Sequence, residues 1–292
     1  MERDTILPRN GPYFAGWYLK HQTREGRTLA LIPAIHRDSR GRTSASLQVV
    51  TDREAWWLEY PAEAFRASRE GFQVRLGENT FGSSGIRLER PDLRGAIVYG
   101  PLAPPRSDIM GPFRHIPGLE CVHGVLSMHH GLRGAVTIRG EIWEFDGGMG
   151  YLETDRGRSF PKGYLWVQCA WAEGSMMLAV ARVPLGPICF DGCVCALCHQ
   201  GEEHRFATYR GGRAVYWAAG GAVVRQGRYR LEVTLPRQTG HCLRAPVDGG
   251  MDRTIRECLG GTVRIRLFRD GTLLLDRRDS HGSFEFVPPE EG

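Results

Sequence analysis

Glu153 and Asp155 stand two residues apart in Gly150-Tyr-Leu-Glu-Thr-Asp-Arg-Gly-Arg-Ser-Phe-Pro-Lys-Gly-Tyr-Leu-Trp-Val-Gln-Cys169. A Gly/Pro-punctuated turn separates them from an aromatic strand. In extended backbone this spacing puts both carboxylates on one side, where each raises the other's proton affinity. Alternation along the strand places Tyr164, Trp166 and Gln168 on one face and Leu165, Val167 and Cys169 on the other. Acids beside large aromatics fit a pocket that keeps a carboxylic acid protonated until it delivers its proton. Aromatic faces would stabilise the resulting cation, and Trp17 and Tyr18 in Gly16-Trp-Tyr-Leu-Lys20 add two more. Ordinary structure accounts for the same residues in another way: either carboxylate could pair with Lys162 or an arginine, and the rings could be core packing.

Lys20 and Lys162 are the only lysines among 38 Lys and Arg, and both fall in these aromatic segments. A general bias toward arginine explains the rest of the chain. A compact ammonium differs from a guanidinium fork, so these two positions are read as binding candidates with Tyr18, Tyr164, Trp166, Gln168 and Trp17. Cys189-x3-Cys193-x-Cys195-x2-Cys198-His199 carries zinc-ligand residue types. Strand alternation, however, separates Cys198 from Cys193 and Cys195, so these cysteines are read as inert lining and no metal is expected. His123 and His129-His130 lack an acidic partner at helical or hairpin spacing and are read as ordinary strand and loop residues.

The elements that must position these groups are strands. Period-2 runs occur at 47–50, 72–76, 135–138, 165–169, 229–235 and 263–267, separated by turn signals such as Asp38-Ser-Arg-Gly41 and Arg269-Asp-Gly271. One short helix is expected at 62–67, after Pro61. The 38 glycines and 17 prolines interrupt every other helical candidate, so the fold class is all-β. The chain also repeats itself. Gly16-Trp-Tyr-Leu-Lys, Glu25-Gly26 and Leu29-Ala-Leu-Ile-Pro33 recur as Gly163-Tyr-Leu-Trp-Val, Glu173-Gly174 and Leu178-Ala-Val-Ala-Arg-Val-Pro184, about 147 to 151 residues later. Gly140-Glu-Ile-Trp-Glu-Phe145 rhymes with His281-Gly-Ser-Phe-Glu-Phe286. Two related β-domains, 11–147 and 148–288, are expected, with aromatic opening strands approaching a shared cleft. The Pro-rich stretch 100–118 reads as a long loop, a lid or linker.

Composition narrows the function. Apolar content of 41% with 24% charge is that of a globular chain. The net charge of +5 is spread along strands, as in Arg228-Tyr-Arg-Leu-Glu-Val-Thr-Leu235, where arginines alternate with apolar residues like a solvated outer face. Nucleic-acid binding is therefore not expected. No run approaches the length of a transmembrane helix, which leaves at most transient membrane contact. The N-terminal residues lack a basic region followed by an apolar core, and eight cysteines without such a leader read as free thiols. A cytoplasmic location is the expectation.

Taken together, Gly16-Trp-Tyr-Leu-Lys20, Asp108-Ile-Met-Gly-Pro-Phe113, Tyr151-x-Glu153, Gly157-x-Ser-Phe-Pro161, Trp166-Val-Gln-Cys169 and Leu243-Arg-Ala-Pro246 resemble the tocopherol cyclase family. The motifs keep their order along nearly the whole chain. Ala15, Asp155, Arg156 and Ala170 depart from the plant pattern, and the bacterial branch is the better fit. The resemblance implies two lipocalin-like antiparallel β-barrel or sandwich domains. It also implies cofactor-free ring closure of a prenylated quinol or similar apolar substrate by alkene protonation, a step for which Glu153 and Asp155 are the candidate acids read from the residues. A lipocalin-like carrier of a hydrophobic molecule and an alkene hydratase are the alternatives.

Overall fold

The alternating runs become strands, and every described pairing between them is antiparallel. The computed structural model describes residues 8, 10–68, 70–185, 188–236 and 240–289. Two compact units result: Met1–Pro104 with Val125–Ser159 and Arg244–Arg253, and Pro105–Gly124 with Phe160–Leu243 and Thr254–Gly292.

The strands of the first unit are β1 (Tyr13–Gln22), β2 (Thr28–Arg37), β3 (Thr43–Thr51), β4 (Ala55–Pro61), β5 (Phe65–Ala67), β6 (Gln73–Leu76), β7 (Asn79–Gly82), β8 (Gly85–Arg90), β9 (Leu93–Tyr99), β10 (Cys121–Ile138, from residue 125 onward), β11 (Glu141–Glu144) and β12 (Met149–Gly157). They form one sheet in the order β4-β3-β2-β1-β12-β10-β9-β8-β7-β6-β5, with β11 hairpinned onto β10. Every second residue enters one core, including Leu19, Leu31, Leu47, Leu88, Val136 and Leu152. The expected helix at 62–67 is a single 3-10 turn, Ala62–Ala64, followed by β5. Phe65 and Ala67 alternate inward and pair with Leu76 and Val74, so core burial overrides local helix preference.

The second sheet follows with β13 (Tyr164–Trp171), β14 (Gly174–Leu185), β15 (Ile188–His199), β16 (Glu202–Ala207), β17 (Arg213–Ala218), β18 (Gly221–Gln226), β19 (Tyr229–Thr234), β20 (His241–Val247), β21 (Gly250–Arg269) and β22 (Thr272–Val287), with residues 244–253 of β20 and β21 counted in the first unit and the rest in the second. Their order is β16-β15-β14-β13-β22-β21-β19-β18-β17, with β20 on β21. Its core includes Leu165, Val167, Leu178, Cys195, Val224 and Ile265. The two orders match strand for strand about their opening strands: β1 lies between β2 and β12, and β13 lies between β14 and β22. The repeat in the opening hairpins is thus a repeat of topology. The rhyme between 140–145 and 281–286 is not, because the former is β11 and the latter belongs to β22, whose counterpart is β12.

The Arg244–Arg253 segment is fastened within the first unit. Gln48 Oε1 accepts from Arg244 N at 2.7 Å while Gln48 Nε2 donates to Arg244 O at 3.0 Å. Gly249 N donates to Arg158 O at 2.7 Å, and the Gly249 backbone has φ +73°. A Cβ there would lie 1.9 Å from Arg37 O, so only glycine fits. No helix among the described residues is long and apolar enough to cross a membrane.

Candidate functional site

In the first unit, β1 and β12 pair so that Tyr18 faces Glu153, Gly16 faces Asp155 and Lys20 faces Tyr151. Leu19 and Leu152 point into the core, which leaves Tyr18, Lys20, Tyr151, Glu153 and Asp155 together on the opposite face. Tyr18, Lys20, Tyr151 and Glu153 are buried, and Asp155 is partly so. Tyr151 Oη donates to Glu153 Oε2 at 2.5 Å. Burial, then the neighbouring Glu153 and Asp155 carboxylates, push the Tyr151 phenol well above its ordinary range. Tyr151 therefore keeps its proton and acts as the donor, fixing one oxygen of Glu153. The Tyr18 ring meets Tyr151 edge-on at 6.4 Å. Trp17 turns the other way and stacks on Phe65 and Phe72, with centroids 6.0 and 6.2 Å apart, as part of the core packing.

In the second unit, β13 buries Leu165, Val167 and Cys169 in the core and presents Tyr164, Trp166 and Gln168 on the other face. Trp166 faces Glu285 across the β13–β22 pair, and Gln168 faces Ser283. Tyr164 Oη donates to Glu285 Oε2 at 2.6 Å. Each unit thus carries a phenol-to-carboxylate hydrogen bond on the side of its opening strand away from the core. Glu285 also faces Glu257 across β21 and β22, so two buried acids are cross-strand neighbours beside Trp166. Sequence reasoning missed both. Counting pairs outward from the Asp270-Gly271 turn misaligns them by one residue, because a register shift falls between Leu267 and Phe268. Lys162 lies on the exposed turn before β13.

The expected loop at 100–118 is strapped down within the second unit from Pro105 onward. Arg205, buried and paired with Glu203 at 2.7 Å, donates to the carbonyls of Ser107 and Asp108, each at 3.0 Å. Tyr209 Oη donates to Ile109 O at 3.2 Å. The same ring lies against Gly111, where a Cβ would come within 2.6 Å. Asp108 in turn accepts from Met110 N and Gly111 N and pairs with Arg114. Cys193 and Cys195 belong to the core cluster and Cys198 is partly buried; burial pushes all three thiols up.

Known proteins bear on this arrangement. The tocopherol cyclase-like family model matches residues 92–286. A chloroplastic tocopherol cyclase of Zea mays is 25% identical over 185 residues, or 56% of this chain, and the match spans only 38% of the maize protein. Among solved structures, a Nitrosomonas europaea protein assigned to AttH superposes with a TM-score of 0.53 at 12% identity, over 98% of this chain and 99% of its own. Kievitone hydratase from Nectria haematococca gives a TM-score of 0.53 at 12% identity, over 95% and 89% of the two chains. At these identities the likeness establishes a shared lipocalin-like β-fold and no activity. Because the family model covers two thirds of the sequence, including Tyr151, Glu153 and Trp166, the chain belongs to the tocopherol cyclase-like family.

Proposed function

We propose that this protein is a cyclase of apolar, prenylated aromatic substrates in which a glutamic acid protonates an alkene. The observation that carries this reading is the buried Glu153 carboxyl, one oxygen fixed by Tyr151 and its neighbour across the strand pair an aromatic face, Tyr18. In the reaction the C=C bond takes the acid's proton and leaves a tertiary carbocation. A phenol oxygen of the same substrate closes the ring by forming a C–O bond, and the phenol proton returns to the carboxylate. The step conserves every atom and electron, so it calls on no redox partner. Tyr18 offers the cation a π-face. Tyr151 is a positioning residue in this scheme, Asp155 a second acid on the same face, and Lys20 a buried cation diagonal to Glu153. In the second unit Tyr164 and Glu285 repeat the motif, with Trp166, Gln168 and the exposed Lys162 as substrate-binding candidates. The family membership supports the reaction class, and the cytoplasm is the proposed location.

The test is incubation with a prenylated hydroquinone in deuterated water. A ring-closed product of unchanged redox state, carrying one non-exchangeable deuterium beside the new ether carbon, is expected. Glu153→Gln should slow its formation at least ~100-fold, the usual scale for losing a general acid. Water addition in place of ring closure would make the protein a hydratase, and tight binding without turnover would make it a carrier. Full activity in both Glu153→Gln and Asp155→Asn would move the proton donor elsewhere, with Glu285 the next residue to test.

A further inference from the structure

Strand register assembles a basic surface on the second unit that no single strand reveals. Arg213 of β17 faces Arg225 of β18, Arg225 faces Arg230 of β19, Arg230 faces Phe268 of β21, and Phe268 faces Leu273 of β22. All five lie on the outer side of the sheet, since the intervening Val224, Leu231 and Leu267 belong to the core. Arg228 occupies the adjoining turn, and Arg264, Arg266 and Arg278 continue the surface along the strands. Three carboxylates offset these seven arginines: Glu232 pairs with Arg230 at 3.1 Å and Arg266 at 2.6 Å, Asp276 pairs with Arg264 at 2.6 Å, and Asp270 pairs with Arg228. Arg213 and Arg225 have no ion-pair partner among the described residues.

Like charges directly opposite on neighbouring strands have Cβ atoms only ~5 Å apart and destabilise the pair. Such a row calls for a counter-charge from outside. Beside it the chain exposes apolar side chains: Leu273 and Leu274 are 48% and 47% exposed where the register slips, and Tyr216 is 53% exposed next to the β17 bulge. Arginines flanked by exposed leucine and tyrosine complement a surface that is anionic outside and apolar beneath. We propose that this outer face of β17, β18, β19, β21 and β22 docks on bilayers containing anionic lipid. Phosphate recognition alone, as on a nucleic acid, would leave Leu273 and Leu274 without a role.

Vesicle co-sedimentation tests the assignment, with phosphatidylcholine vesicles compared with vesicles containing a third phosphatidylglycerol. The protein should bind the anionic vesicles and release at high salt. Arg213→Glu/Arg225→Glu should weaken binding by at least ~30-fold, from the contribution of a basic residue near a charged membrane. Leu273→Ser/Leu274→Ser should weaken it further while leaving its salt dependence. The exposed control pair Arg24→Glu/Arg40→Glu on the first unit should bind as the parent does, and thermal melts verify that each variant is folded. Equal binding to both vesicle types, no binding, or equal loss in the control pair would overturn the proposal. So would preference for duplex DNA with no effect of the leucine changes.

Discussion

The Tyr151–Glu153 contact shows how much a single hydrogen bond can determine. The phenol is the group held protonated, so the Glu153 carboxyl is the acceptor and Oε2 is the oxygen this contact holds. Removing the phenol with Tyr151→Phe should cost roughly 1–3 kcal/mol, because a buried acceptor loses its donor. Glu153→Gln keeps a carbonyl oxygen for Tyr151 and should cost less. The two changes should not add: in a double-mutant cycle by urea denaturation they should show a coupling of at least about 0.5 kcal/mol. Strict additivity would mean that the contact contributes nothing of its own. Tyr164→Phe with Glu285→Gln is the parallel cycle in the second unit, and the shared topology predicts the same sign. Legibility at this scale followed strand parity. Glu153, Asp155, Tyr164, Trp166 and Gln168 were readable as face-sharing residues because alternation within one strand is local. Trp17 was not separable from Tyr18 by residue type, although the same alternation puts them on opposite sides.

At the scale of elements, the segment from Pro105 to His115 is held by one side chain more than by its own structure. Arg205 uses its planar fork to hold two carbonyls and the Glu203 carboxylate at once, away from solvent. Arg205→Ala removes the counter-charge from the buried Glu203 carboxylate, which keeps its bond from Arg106 N, and the donor from two carbonyls, and should cost about 3–5 kcal/mol, the scale for breaking a buried pair. Arg205→Lys, with a single ammonium, should recover only part of this. Limited proteolysis gives the local readout: both variants should be cut between 105 and 118 faster than the parent, alanine fastest. Unchanged cleavage in folded Arg205→Ala would show that Tyr209 and Asp108 suffice. The sequence displayed this stretch as a Pro-rich loop, and nothing local could show its anchor, since Arg205 lies about 97 residues further on. The same non-locality hid Gln48, whose side chain clamps Arg244, and the Glu257–Glu285 pairing, displaced by bulges. Hairpins separated by short turns were legible; contacts set by tertiary register were not.

For the molecule as a whole, the doubled topology was announced by the repeated opening hairpins, but the two units differ in how they should respond to acid. In the first, His21 Nδ1 lies 3.3 Å from Leu29 O, which can only accept, so that nitrogen carries the proton and Nε2 accepts from Tyr99 Oη at 2.6 Å. His130 Nδ1 meets Ser127 Oγ, whose own proton goes to His129 O, so His130 is also a neutral Nδ1–H tautomer. Burial lowers His21 to about 3, helped by His130, and lowers His130 to about 4, helped by His129. Tyr99 and Phe145 are the rings packed around them, and no carboxylate contributes to either shift. Both folded values lie below the ordinary 6.5, so the unfolded chain takes up protons first as pH falls. Stability is full above about pH 6.5 and drains away toward the folded values near 4 and 3. At pH 5 each histidine should have cost about 2 kcal/mol, at about 1.4 kcal/mol per pH unit. Hydrogen exchange read by mass spectrometry, corrected for intrinsic rates, should show β1, β9 and β10 losing protection between pH 7 and 5 while β13 and β21 hold theirs. His130→Asn, which keeps a donor for Ser127 and cannot titrate, should remove about half of the loss. Equal loss in both units, or an acid response unchanged in His130→Asn, would place the sensitivity outside this histidine pair.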